Sequence, residues 1–188
     1  MKSPREFIVH AVNKKRYNNT KDIGGVDFII SSSEEDHRFS NREAVVVETP
    51  IGYNGPIEKG DILLVHHNVF KYYNDMYGRQ KSGKSFLKDD LFFIDNEQFF
   101  MYKKKDKWFC HDRYCFIKPI AAEKKGSLEK NCAYEPLVGV MKYANIYLKS
   151  KGVKEGDKVC FTPHSEYEFT VDEELLYRVY DHQVTVVL

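Results

Sequence analysis

The chain has 188 residues, of which 42% are hydrophobic, with 13 tyrosines and 13 phenylalanines. This content is sufficient for packed cores and excludes wholesale disorder. The 29 basic and 28 acidic residues leave a net charge of +1. We therefore expect no nucleic-acid partner, because dedicated nucleic-acid binders carry a clear basic excess.

The predicted elements are mostly short strands. They are rich in Val, Ile, Phe and Tyr and are separated by Gly, Asn, Pro and Asp, which is typical of strands joined by turns. In chain order, the predicted strands are Phe7–Val12, Ala44–Glu48, Asp61–Val65, Leu91–Ile94, Gln98–Tyr102, Trp108–Cys110, Tyr114–Ile117, Leu137–Tyr143, Lys158–Thr162, Glu166–Val171, Leu175–Tyr180 and Gln183–Leu188. The best of the few candidate helices is Tyr143–Lys151, although its Ile146 and Tyr147 fit a loop equally well. This pattern predicts an all-β chain of small barrels or sandwiches.

One segment pattern occurs twice along the chain. Residues 57–65, IEKGDILLV, align with residues 153–161, VKEGDKVCF. In both segments Gly provides the unusual backbone angle of a tight turn, and Asp caps that turn before a strand begins.

The segments flanking this turn also align. The aligned pairs are REFIVHAV (5–12) with DRYCFIKPI (112–120), EAVVVE (43–48) with EPLVGVM (135–141), and FIDNEQFFMY (93–102) with FTVDEELLYRV (169–179). The chain is therefore predicted to contain two tandem copies of one small β-domain, at residues 1–110 and 111–188.

Residues 78–85, GRQKSGKS, match the G-x-x-x-x-G-K-[ST] pattern of a phosphate-binding loop. Such a loop follows a buried strand and opens a helix. Here the preceding KYYNDMY (71–77) is polar, and LFFID (91–95) begins too soon after Ser85 for a crossover helix. We expect an inserted, solvated loop at about residues 70–90, and a nucleotide-dependent enzyme is the less favoured alternative.

Residues 152–188, GVKEGDKVCFTPHSEYEFTVDEELLYRVYDHQVTVVL, resemble the C-terminal half of the GroES co-chaperonins. The first copy carries IEKGDILLV and FIDNEQFFMY, followed by a weaker final strand at Asp106–Cys110. The resemblance implies an all-β fold of two tandem small GroES-like β-barrels.

The GroES family uses a long mobile loop after its first strand, with Gly-Gly and a short hydrophobic run, to bind the chaperonin. Tyr17–Ser40 has this position and character, since polar ends flank DIGGVDFII. The residues that the resemblance assigns to chaperonin binding are Gly24, Gly25, Val26, Phe28, Ile29 and Ile30. Asp27 departs from the family's apolar run, although alternation along a strand would direct it away from Val26 and Phe28. The alternative is an ordinary hairpin whose Phe28 and Ile30 pack on the barrel.

The second copy lacks such a loop, because only AAEKKGSLEKNCA (121–133) connects the corresponding strands. The resemblance implies a GroEL-like chaperonin ring and an unfolded client as partners, with the chain itself in a homo-oligomeric ring, expected to be a heptamer. The brief segment IGYNGP (51–56) replaces the family's roof hairpin. Phage-encoded co-chaperonins vary in such loops, so a phage origin is one expectation. The alternative function is a β-barrel structural or virion scaffold protein that does not bind a chaperonin.

We expect no enzyme activity, cofactor or metal. Cys110-His111 with Cys115 would supply three zinc ligands, but no fourth ligand has the spacing of a structural site. The four cysteines form no C-x-x-C pair and are expected to be reduced. With no N-terminal signal segment and no apolar run of spanning length, we expect a cytoplasmic location, in the host cytoplasm if the protein is viral, and no membrane partner.

Overall fold

A computed structural model describes residues 1–29, 39–122 and 133–188. The chain divides into two compact units, Met1–Lys107 and Trp108–Leu188. The fold is mostly β, with one seven-stranded and one six-stranded antiparallel sheet and two small hairpins. The boundary predicted from the sequence lies between residues 110 and 111.

The strands of the N-terminal part are β1 (Phe7–Ala11), β2 (Thr20–Ile23), β3 (Val26–Ile29), β4 (Glu43–Glu48), β5 (Ile62–Val65), β6 (Tyr72–Asn74), β7 (Gln80–Ser82), β8 (Phe86–Lys88), β9 (Leu91–Ile94), β10 (Phe99–Lys104) and β11 (Lys107–Cys110). The C-terminal part has β12 (Tyr114–Ala121), β13 (Tyr134–Tyr143), helix α1 (Ile146–Ser150), β14 (Lys158–Phe161), β15 (Tyr167–Val171), β16 (Glu174–Tyr180) and β17 (Val184–Val187). The strands predicted from the sequence are confirmed, with ends that differ by a few residues. The sequence did not predict β2, β3, β6, β7 and β8.

The two large sheets have corresponding strand orders. The first is β11-β10-β5-β4-β1-β9-β8, and the second, written from its opposite end, is β17-β14-β13-β12-β16-β15. In the first sheet β1 lies between β4 and β9, and in the second sheet β12 lies between β13 and β16. No pairing among the described residues closes either sheet into a barrel. The predicted barrels are therefore two antiparallel sheets in the part of the chain that is described.

The two sheets share details of register as well as order. In β1 the pairing with β4 shifts between Ile8 and Val9, and in β12 the pairing with β13 shifts between Phe116 and Ile117. Val9 pairs with Val46, and Ile117 pairs with Met141. A bulge at the same place in both sheets therefore aligns β1 with β12 and β4 with β13.

The predicted Gly-Asp turns are present and match at the level of single hydrogen bonds. The Gly60 amide donates to the Val46 carbonyl at 2.8 Å, and the Asp61 carboxylate accepts from the Glu58 amide at 2.8 Å. In the second unit, Gly156 donates to Met141 at 2.8 Å and Asp157 accepts from Lys154 at 2.8 Å. Gly60 and Gly156 have φ angles of 93° and 97°, which explains why glycine precedes both aspartates.

The predicted alignment of FIDNEQFFMY with FTVDEELLYRV is wrong by one strand. β9 pairs with β1, and its counterpart beside β12 is β16, not β15. The turn after each of these strands ends in a glutamine. The Gln98 side-chain oxygen accepts from the Asp95 amide at 3.2 Å, and that of Gln183 accepts from the Tyr180 amide at 2.8 Å. Residues 93–102 therefore correspond to residues 178–187.

Each unit has its own apolar core. The buried core of the first unit comprises Phe7, Val9, Ala11, Ala44, Val46, Ile57, Leu63, Val65, Val69, Phe70, Phe92, Ile94 and Phe99. That of the second unit comprises Cys115, Ile117, Met141, Ala144, Leu148, Val153, Val159, Phe161 and Val179. Edge-to-face aromatic pairs, such as Phe70 on Phe92 with ring centroids 4.8 Å apart, fill the first core.

The helix α1, Ile146–Ser150, is shorter than the predicted helix, Tyr143–Lys151. Asn145 caps it, because its side-chain oxygen accepts from the Leu148 amide at 2.9 Å. The side chain of Leu148 is buried, whereas those of Ile146 and Tyr147 are exposed. In the described ranges, no helix has the length and apolar character needed to span a membrane.

Candidate functional site

The predicted chaperonin-binding residues lie on a separate two-stranded hairpin, β2–β3. Ile23 pairs with Val26 on either side of a two-residue turn formed by Gly24 and Gly25. Their φ angles are 67° and 84°. A hairpin turn of this kind requires positive φ at both central residues, and glycine adopts this conformation without strain. The Gly-Gly pair therefore forms the tip of the hairpin, as predicted.

One face of the hairpin displays apolar side chains. Ile23 and Val26 are directly opposite each other, and Phe28 lies two residues beyond Val26 on the same face. Their exposed fractions are 57%, 57% and 52%, and Ile29 on the other face is 71% exposed. Ile23 was not among the predicted site residues, and only the cross-strand register assigns it to this face.

This exposure argues against the alternative in which Phe28 packs on the rest of the unit. A buried phenylalanine of the core, such as Phe92, is 1% exposed, whereas about half of the Phe28 surface is open. Ile30 and the side chain of Asp27 lie outside the described part of the chain. We call the face formed by Ile23, Val26 and Phe28 the apolar hairpin face.

The hairpin is joined to the sheet through a closed root. An isolated bridge pairs Tyr17 with Ser40, which are the two ends of the predicted loop. The Asn18 amide donates to the Phe39 carbonyl at 2.7 Å, and the Asn41 amide donates to the Arg16 carbonyl at 2.9 Å. The two ends of the loop are therefore hydrogen-bonded to each other where the loop joins the rest of the first unit.

Asn41 ties this root to the end of β1. It is 4% exposed, and its side-chain nitrogen donates to the carbonyls of Val12 at 3.1 Å and Lys15 at 2.8 Å. Its side-chain oxygen accepts from the Glu43 amide at 2.9 Å. The beginning and the end of the loop are thus held by one satisfied amide, a role that its sequence position alone does not indicate.

The phosphate-loop pattern GRQKSGKS forms no helix. Gly78 lies in the turn of the β6–β7 hairpin, and residues 80–82 are β7 itself. Ser85 is buried and accepts a hydrogen bond from the Gln98 side chain at 3.1 Å, and strand β8 begins at the next residue. Phosphate loops depend on the N-terminal amides of a following helix, which this segment does not provide.

Cys110 and Cys115 are poorly suited to nucleophilic chemistry. Burial raises the pKa of the Cys115 thiol to about 12 and that of the Cys110 thiol well above its usual value. Cys110 donates a hydrogen bond to the Tyr143 carbonyl at 3.3 Å. Cys110, Cys115 and Cys160 are free thiols, and no group of three metal-ligating side chains forms among the residues described. Cys132 lies outside the described residues.

A comparison with models of known protein families gives no match for this chain, and a comparison with curated proteins gives no significant match either.

Proposed function

We propose that the chain is a GroES-like co-chaperonin that caps a chaperonin ring through the β2–β3 hairpin. The observation that carries this proposal is the apolar hairpin face, which lies on a separate two-stranded element with a glycine tip and a closed root. The position of the element after the first strand of its unit is the position of the mobile loop in the GroES family. The GroES-like pattern of residues 152–188 supports the same assignment.

Burial of this face provides a physical basis for binding. Ile23, Val26 and Phe28 are each more than half exposed in the free chain, and burying one such side chain contributes roughly 1.5–3 kcal/mol. Part of this free energy offsets the cost of immobilising the side chains of the hairpin in the complex. In a homo-oligomeric ring, with seven subunits as in the family, each hairpin binds with the help of its neighbours, so weak single contacts give a tight cap.

The proposed activity requires no catalytic group, cofactor or metal, since capping acts by enclosing an unfolded client. Only the first unit carries a hairpin of this kind in the described residues. We therefore assign chaperonin binding to the first unit.

The test compares Phe28→Ala with the wild-type chain. We expect binding to a chaperonin ring to weaken about ten-fold to more than a hundred-fold per subunit, with little change in melting temperature because Phe28 is half exposed. Ile29→Ala is made in parallel, in case the partner contacts the other face. The control is Leu176→Ala, whose side chain is 1% exposed. It should lower stability by about 2–5 kcal/mol.

The proposal fails if both hairpin variants bind the chaperonin like the wild type, or if both unfold the first unit. Light scattering adds an independent check on assembly. A ring several times the 22.1 kDa chain mass supports the cap, and a stable monomer supports a scaffold protein instead.

A further inference from the structure

The first unit contains an inserted segment that the second unit lacks. Residues 66–85 connect β5 to β8, whereas residues 162–166 connect the corresponding strands β14 and β15. The insertion carries the β6–β7 hairpin, and it contacts Arg16 and Tyr17 where the β2–β3 loop begins and, through the His67 carbonyl, the Ser40 hydroxyl where the loop ends.

Arg16, immediately before the root, is enclosed by this segment and the strands that follow it. Its side chain is 9% exposed, and its guanidinium lies over the rings of Tyr72, Phe86 and Phe92 at 4.3, 5.0 and 4.8 Å from their centroids. Aromatic faces attract a cation most strongly where water is excluded. These three aromatic rings therefore stabilise the position of the guanidinium.

The same guanidinium makes two directed bonds. Nη1 donates to the Ser82 hydroxyl at 2.9 Å, and Nη2 donates to the Asp90 carboxylate at 2.8 Å. Ser82 ends β7, and Asp90 lies in the turn before β9. A planar guanidinium fixes both directions at once, which a lysine ammonium does not.

Tyr17, the next residue, is held by the same hairpin. It is 8% exposed, its ring stacks on Tyr72 with centroids 6.0 Å apart, and its hydroxyl accepts from the Tyr72 amide at 3.0 Å. Two consecutive side chains at the start of the loop therefore pack into one inserted element.

We propose that the inserted segment, residues 66–85, is a clamp that holds the root of the β2–β3 loop, and that Arg16 and Tyr17 are positioning residues for partner binding. The assignment of Arg16 and Tyr17 as positioning residues rests on the proposed chaperonin binding. Holding the root limits the directions that the apolar hairpin face can take in the free protein. Binding then requires less additional ordering, which strengthens it without any new contact to the partner.

The first test needs no chaperonin. In Arg16→Met, an apolar side chain of similar length stays among the aromatic rings but loses both directed bonds. Tyr17→Phe removes only the hydroxyl that accepts from Tyr72. We expect hydrogen exchange at the Asn18 and Asn41 amides, which close the root, to become about ten-fold faster in Arg16→Met and less so in Tyr17→Phe. Exchange at Val9 and Val46 in the core should not change.

The matched control is Arg178→Met in the second unit. Arg178 also lies over three rings, those of Tyr114, Tyr167 and Tyr180, at 5.2–5.3 Å. Its replacement should leave exchange at the root unchanged. If Arg16→Met and Tyr17→Phe both leave exchange at Asn18 and Asn41 as in the wild type, the clamp does not exist.

The second test asks whether the clamp acts through the hairpin. Arg16→Met should weaken binding to a chaperonin ring about ten-fold in the wild-type background and have little effect in the Phe28→Ala background, because the hairpin no longer binds there. Equal losses in both backgrounds, or no loss in the wild type despite faster root exchange, would overturn the positioning role. If the wild type itself does not bind, the proposed function and the positioning role both fail, and root exchange still decides whether the clamp exists.

Discussion

The two units of this chain show the same sheet with different connections. Both have the same order of six strands, a bulge at the same place in the first strand, a Gly-Asp turn with the same hydrogen bonds and a glutamine-capped turn. Among the residues that the structure describes, the β2–β3 loop and the inserted β6–β7 hairpin occur in the first unit alone. The second has a short helix in the connection between β13 and β14. The shared parts explain the fold, and the added parts of the first unit carry the proposed function.

The two sheets are not interchangeable at one pair of corresponding positions. Ala44 in β4 and Gly139 in β13 occupy corresponding positions, each two residues before the strand residue that bonds the Gly-Asp turn. A methyl group is buried at the first position. At the second, a Cβ would lie 2.3 Å from Ile117 Cγ2 and 2.7 Å from the Lys118 carbonyl oxygen.

The largest effect is expected from exchanging these two residues. Gly139→Ala should destabilise the second unit by about 1–3 kcal/mol, because the added methyl displaces backbone as well as side-chain atoms. Ala44→Gly should cost about 1 kcal/mol in the first unit, through lost packing and greater freedom of the unfolded chain. Denaturant titration measures both changes. A neutral Gly139→Ala would show that the two positions are equivalent in packing as well as in register.

Replacing the aspartate of either Gly-Asp turn is expected to have a smaller effect, equal in the two units. Asp61→Ala and Asp157→Ala each remove an acceptor from an amide three residues earlier, at 2.8 Å in both units. Each should lower the free energy of unfolding by about 1 kcal/mol. The same titration tests this, with Asp61→Asn and Asp157→Asn as controls that retain an acceptor oxygen. Losses that differ by more than two-fold would contradict the equivalence of the turns.

The smallest effect concerns an ion network found on β12, β13 and β16. The Glu174 carboxylate accepts from Lys118 and Lys142, each at 2.6 Å, and these hydrogen bonds lower its pKa. The corresponding positions for the two lysines in the first unit are His10 and Val47, from the shared register. The contribution is therefore specific to the second unit.

A carboxylate with a lowered pKa stabilises the fold above its unfolded pKa of about 4.3, and this contribution is lost as the pH falls through the folded value. We expect Glu174→Gln to cost at most about 1 kcal/mol at pH 7, since the network is partly exposed. The difference between variant and wild type should shrink as the pH falls below about 4.3, and should also shrink in high salt. Denaturant titrations at several pH values measure this difference in the free energy of unfolding. A difference that does not depend on pH would contradict the assignment of the contribution to the Glu174 carboxylate.

Much of the local structure could be predicted from the sequence. The strand positions, the Gly-Asp turns and the Gly24-Gly25 tip follow from residue types whose backbone preferences act over a few residues. The ends of the loop, Tyr17 and Ser40, were assigned by the resemblance to the mobile loop of the GroES family, and an isolated bridge pairs these two residues. The short strands β6, β7 and β8 were missed because their polar, turn-rich sequence resembles a loop, and β2 and β3 were missed because they lie within the segment assigned as the long loop.

The sequence by itself determined the strands of the two large sheets other than β8 and the places of the Gly-Asp turns, and its resemblance to the GroES family pointed to one loop with an apolar run in the first copy. Only the tertiary structure decided which strands correspond, so that Gln98 matches Gln183, and which side chains share the hairpin face, so that Ile23 joins Phe28. It also decided that Arg16 is enclosed by residues more than fifty positions away. The physical reason is that turn and strand preferences are local, whereas register and side-chain enclosure are set by packing between segments distant in sequence.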